Sequence, residues 1–152
     1  RRTLFMKKIV KITSLLLVLT LCLFAMACSS YGKLERAFEK EGYTVSETMK
    51  GIMEDYQNSL KEEGEETPIT VHALSKGITV VIIFEFKATD DLKEKYADSA
   101  TMQGVVEDIK NSEDANAIYD KLVEEGYVNG NCFVFTTNPF AVDAVKNIVK
   151  NA

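Results

Sequence analysis

The chain has 152 residues, 46% of them hydrophobic and 27% charged, with eight Gly and only two Pro. These proportions exclude collagen-like and low-complexity disordered chains, and the length suits one domain. Charge is unevenly placed: residues 1–27 carry five basic side chains and no acid, leaving 13 basic against 23 acidic residues, a net charge of −10, over 28–152. A body that acidic is a poor match for nucleic acid or for electrostatic docking on anionic lipid.

The N-terminal segment reads as an address. Met6-Lys7-Lys8-Ile9-Val10-Lys11 is a short basic stretch, and Met6 is the expected start, with residues 1–5 upstream of it. Residues 14–27 follow without a charge, a run of 14 that falls short of the ~20 needed to cross a bilayer core. A basic start, a short apolar run and small residues at its end describe a secretory signal. The junction Ala25-Met26-Ala27-Cys28 resembles the lipobox of bacterial lipoproteins, with small residues three and one positions before the cysteine. That resemblance covers about 23 residues and implies cleavage between Ala27 and Cys28, with a diacylglyceryl group on the Cys28 thiol. It implies a signal peptide over 1–27, a short tether over 28–32 and a single domain over 33–152, lipid-anchored on the extracytoplasmic side of a bacterial envelope membrane. The alternatives are an ordinary signal peptide cut near Ala27, or an uncleaved anchor. Two or more acyl chains anchor stably at about 0.8 kcal/mol per buried CH₂, so an acidic domain needs no basic patch to stay at a membrane.

The body follows in chain order. Tyr31, Leu34 and Phe38 share one helical face, and Gly42 is placed to end that helix. Thr44-Val45-Ser46-Glu47 fits a capping box, and the spacing of Val45, Met49, Ile52, Met53, Tyr56 and Leu60 predicts a helix over about 45–62. Residues 43–45 read alternatively as a short strand. A charged loop at 61–68 separates this helix from two strands, about 69–75 and 78–87, joined at Ser75-Lys76-Gly77 as a hairpin. The unbroken apolar run over 80–84 predicts a central strand covered on both sides. Acidic starts at Thr89-Asp90-Asp91 and Ser112-Glu113-Asp114 open further helices, the first broken near Asp98-Ser99 and the second stopped by Gly126. Asn129-Gly130 marks a turn into a third strand, about 131–137, and Asn138-Pro139 starts a last helix lined by Phe140, Ala141, Ala144, Val145, Ile148 and Val149. The expected class is α+β, a two-layer sandwich with a small, mainly antiparallel sheet and helices packed on it. Glu41-Gly42-Tyr43 recurs as Glu125-Gly126-Tyr127, which we read as shared helix-closing chemistry rather than duplication.

Few residues point to chemistry. With Cys22 in the signal and Cys28 lipidated, Cys132 is a single thiol without a disulfide partner. It lies in an apolar strand, where an inert buried thiol is expected. His72, the only histidine, shares a strand face with Thr70 and Leu74 and is the one candidate functional side chain of the body, although a structural role or none is the expected reading. The acidic pairs Asp90-Asp91 and Glu113-Asp114 are explained by the positive ends of helices. The carboxylates of 61–66 lack the alternating oxygen donors of a calcium loop, so no metal site is expected. No phosphate loop, paired-cysteine motif, nucleophile elbow or HExxH appears in the body.

The expected function is a membrane-anchored, non-enzymatic module binding an unidentified protein or small ligand, with the lipid on Cys28 as its only covalent group. A small extracytoplasmic enzyme would be favoured by a concavity gathering His72 with acids or tyrosines. A self-associating subunit would be favoured by an exposed apolar sheet face or a long unpaired edge.

Overall fold

Across residues 29–62, 69–106 and 114–152, which the computed structural model describes, backbone hydrogen bonding builds six helices and five strands. In chain order these are α1 (Ser30–Lys40), β1 (Thr44–Val45), α2 (Glu47–Glu62), β2 (Thr70–Lys76), β3 (Thr79–Glu85), α3 (Thr89–Asp98), α4 (Ala100–Val105), α5 (Ala115–Glu125), β4 (Val128–Asn129), β5 (Cys132–Thr136), a 3₁₀ turn (Pro139–Ala141) and α6 (Val142–Lys150). The strands form one sheet in the order β1-β2-β3-β5-β4, with every described pair antiparallel. This is an α+β sandwich, with β3 in the centre as its apolar run requires.

Strand alternation divides the core between two faces. On one face Leu74, Val81, Ile83, Cys132 and Val134 meet Leu34 and Phe38 of α1 and Val145 and Val149 of α6. On the other, Val128 and Phe133 meet Leu92 and Tyr96 of α3, Met102 of α4 and Leu122 of α5. Helices therefore cover both faces, adding a third layer to the two expected. The remaining helix, α2, lies against β2.

Two turns set the registers. The Lys76–Thr79 pair leaves Gly77-Ile78 as a two-residue loop, and the Asn129–Cys132 pair leaves Gly130-Asn131. Each loop begins with a glycine at positive φ, +59° and +57°, the geometry that suits the right-handed twist of paired strands. Both turns lie one residue later than the dipeptide patterns suggest, so β2 runs on to Lys76.

Other boundaries differ for local reasons. Thr44 and Val45 pair with Ser75 and Leu74, so they are strand rather than the start of a helix. Ser46 then caps α2, its Oγ accepting from the Met49 N–H, in the role expected of Thr44. Ile52 is 54% exposed, because α2 turns Met49 and Met53 inward instead. Phe140 is 96% exposed: the tighter 3₁₀ turn takes it out of the face that α6 buries. Residues 30–32, expected in the tether, are the first turn of α1, where Ser29 Oγ accepts from the Gly32 N–H at 3.0 Å. Asp114 caps α5 as expected, whereas α3 is preceded by Ala88 and has no side-chain cap.

The recurring Glu-Gly-Tyr tripeptides close their helices in the same way. Gly42 and Gly126 stand at φ +86° and +84°, and the N–H groups of Tyr43 and Tyr127 reach back to the carbonyls of Phe38 and Leu122. Gly126 carries a second constraint, because a Cβ there would stand 2.5 Å from the backbone oxygen of Lys146 in α6. Left-handed backbone costs about 1–2 kcal/mol for a non-Gly residue and overpacking about 1–3. Gly126→Ala is thus expected to lower stability by about 2–5 kcal/mol in urea denaturation. Gly51→Ala, in an exposed turn of α2 with open space around it, should raise stability by about 0.5–1 kcal/mol.

Candidate functional site

His72 has partners that its own stretch of sequence does not supply. It stands opposite Ile83 in the β2–β3 pairing, and Glu85 is the next residue of β3 on the same face. The diagonal brings His72 Nε2 to 2.8 Å from Glu85 Oε2, with the two side chains 22% and 26% exposed. From α1, the Tyr31 ring stacks on the imidazole with centroids 3.5 Å apart and planes 12° from parallel. The Tyr31 hydroxyl donates to Glu35 Oε1 at 3.0 Å, one helical turn on. Burial, and after it the Glu35 carboxylate, raises the Tyr31 phenol above its ordinary range, so it stays protonated.

The stack forms one side of a cleft of about 200 Å³ between α2 and the outer edge of β2. Val45, Met53, Val71 and Ala73 give it an apolar lining, Ser46 and Gln57 add polar groups, and the exposed Lys50 and Glu54 stand at its mouth. A larger hollow of about 360 Å³ lies between α1 and α6 around Ala37, Lys40, Asn147 and Asn151.

The other expected residues do not join the cleft. Cys132, in β5, is fully buried on the sheet face that α1 and α6 cover. Burial, reinforced by the nearby Glu85 carboxylate, pushes its thiol up to about 12. A neighbouring anion opposes thiolate formation, the reverse of what a cysteine nucleophile requires. Asp90 and Asp91 occupy the first turn of α3, where Asp90 lies 3.7 Å from Lys93 and is 91% exposed. Asp114 Oδ1 accepts from the Asn116 N–H as a cap. Ala27, Cys28, Glu113 and the acidic residues 63–66 lie outside the described residues. Among the described residues no cluster of three or more His, Cys, Asp or Glu side chains is placed to hold a metal, and no helix is long and apolar enough to cross a membrane.

Sequence reasoning reached His72 but missed Glu85 and Tyr31. The signal for Glu85 was present in the hairpin. A two-residue loop at Gly77-Ile78 sets Thr70 opposite Glu85 and puts His72 and Glu85 on one face, whereas a turn at 75–77 does not. Tyr31 had no such signal, since only the docking of α1 brings its ring to β2. No family model, curated protein or solved structure matches this chain.

Two measurements check this geometry. His72→Ala and Tyr31→Ala should each destabilise, and the double variant by less than their sum, with a coupling of about 0.5–1.5 kcal/mol from the stacked rings. Strict additivity would mean that the stack carries no energy. Cys132 gives the second. Its thiol ionises near 8.5 when unfolded and near 12 when folded. The unfolded chain therefore holds fewer protons above that lower pH, and the contribution is whole below about pH 8.5 and lost as pH rises. Stability should fall between about pH 8.5 and 10 by at most 1.4 kcal/mol per pH unit from this group. The Cys132→Ala variant should have a shallower slope over the same interval.

Proposed function

We propose that the chain is an extracytoplasmic binding module held at a bacterial membrane by lipid on Cys28, with the cleft between α2 and β2 as its binding site. The anchor rests on one observation: Ala25-Met26-Ala27-Cys28 closes a short uncharged run behind a basic start. The binding role is supported by the convergence of Tyr31, His72, Lys50 and Gln57 on an apolar-lined concavity.

A catalytic reading draws support from the His72–Glu85 pair, since a carboxylate that orients an imidazole is part of a general-base arrangement. Among the described residues Cys132 is buried and protonated, and Ser46 Oγ accepts from the Met49 N–H as a helix cap, so neither hydroxyl nor thiol is seen paired with that imidazole. Self-association through the sheet finds less support, because both faces carry helices and the outermost strands, β1 and β4, are two residues long.

Expression of the full chain with labelled palmitate tests the anchor. Cys28→Ser should lose the label and move from the membrane fraction to the soluble extracytoplasmic fraction. Label and membrane association that survive the substitution would remove the lipid anchor from this reading.

A further inference from the structure

The outer edge of β2 can be followed group by group. In an antiparallel ladder, alternate residues turn both backbone groups toward one neighbour or the other. The two-residue loop makes Lys76–Thr79 a hydrogen-bonded pair, so Thr70, His72, Leu74 and Lys76 address β3. Ile69, Val71, Ala73 and Ser75 consequently address the outer side. Two hydrogen bonds confirm this parity: the Ser46 N–H donates to the Ala73 carbonyl at 3.0 Å, and Gln57 Nε2 donates to the Ile69 carbonyl at 3.1 Å.

Between them Val71 is the position at which both outward groups stand unpaired among the described residues, whereas at Ala73 the carbonyl is met by the Ser46 N–H. β1 covers Ser75 and Leu74, Ser46 continues its line to Ala73, and the Gln57 side-chain amide stands at Ile69 where a strand N–H would stand. Val71 lies midway, is 6% exposed and lines the cleft. Among the described residues nothing pairs with its outward N–H and C=O. Buried backbone groups are almost always satisfied, and the cleft that Val71 lines is space in which a partner can stand.

We propose that the cleft takes an extended peptide segment, one residue of which completes the outer edge of β2 by exchanging two backbone hydrogen bonds with Val71. The proposal rests on the reading of this cleft as the binding site and specifies its ligand. The committed occupant is a peptide because the gap requires a donor and an acceptor at strand spacing, with an amide already standing in for a strand two residues away. Strand addition takes its affinity from such main-chain bonds and its selectivity from alternate side chains. Here one side meets the Tyr31–His72 stack and the other meets Val45 and Met53. At about 200 Å³ the cleft accommodates a short segment, not a long strand.

The test uses the full chain in detergent micelles, with its backbone amides followed by NMR. The probe is N-acetyl-Ala-Ala-Ala-amide, beside the same peptide methylated on its central nitrogen. The unmodified probe should shift the Val71 amide and slow its hydrogen exchange at least tenfold, while the methylated probe should do neither. Met53→Trp should fill the cleft and abolish the response in a chain whose circular dichroism is unchanged. Gln57→Ala releases the Ile69 carbonyl for the next peptide N–H and should tighten binding several-fold. Equal responses to the two probes, no response at Val71, or unchanged or weaker binding in Gln57→Ala would each overturn strand addition. Failure here, with Cys28→Ser still releasing the chain from membranes, would sink the peptide ligand and leave the anchor intact.

Discussion

The register between β2 and β3 is the constraint on which the rest of this structure depends. A side chain changes face with each step along a strand, so a one-residue slip would carry Leu74, Val81 and Ile83 out of the core that α1 and α6 cover. The same slip would separate His72 from Glu85 and turn the outward backbone groups of β2 inward. Gly77 holds the register at one end by taking positive φ at the first loop position. Pairing of β3 with β5 holds it from the other side, from Val81–Thr136 to Glu85–Cys132. Core, polar pair and cleft therefore share one geometric origin.

The edges of the sheet are handled differently on its two sides. Each side begins with a helix closed by a left-handed glycine and a tyrosine N–H, followed by a strand of two residues. Beyond β4 the chain turns directly into β5. Beyond β1 it leaves the sheet at Ser46 and returns as α2, which lies against the exposed part of β2 and supplies Gln57 to it. Covering an edge with a helix is a recognised protection against edge-to-edge pairing. Among the described residues that cover leaves the outward groups of Val71 unmet, and Val71 lines the cleft.

Charge is arranged around this frame with little of it buried. No polar or charged residue among those described falls in the fully buried class. Glu85 is the exception in consequence, being half-buried between a histidine that it orients and a thiol whose ionisation burial, and after it the Glu85 charge, opposes. Lys146 shows the usual surface pattern: its Nζ lies 2.9 Å from Glu125 and over the Tyr127 ring, tying α6 to the closing turn of α5. The Glu125 carboxyl is held below its ordinary range by the hydrogen bond from Lys146, but the Glu125 end is too solvated for the pair to contribute much to stability.

Most elements were legible in the sequence because their signals are local. Gly42 and Gly126 ended helices, Asn138 and Pro139 opened a turn, the apolar run of β3 marked a central strand, and Asp114 capped α5. These features depend on backbone preferences and burial within a few residues of chain. The lipobox resemblance is local in the same sense. Other features depend on segments far apart in sequence. Thr44 and Val45 became a strand because β2 offered them partners, and Phe140 turned outward because a 3₁₀ turn precedes α6. Glu85 and Tyr31 met His72 across 13 and 41 residues of intervening register and helix docking. The outward groups of Val71, unpaired among the described residues, are of the same kind: local sequence specifies that a strand has two edges, but only the packed chain decides which backbone groups its neighbours meet.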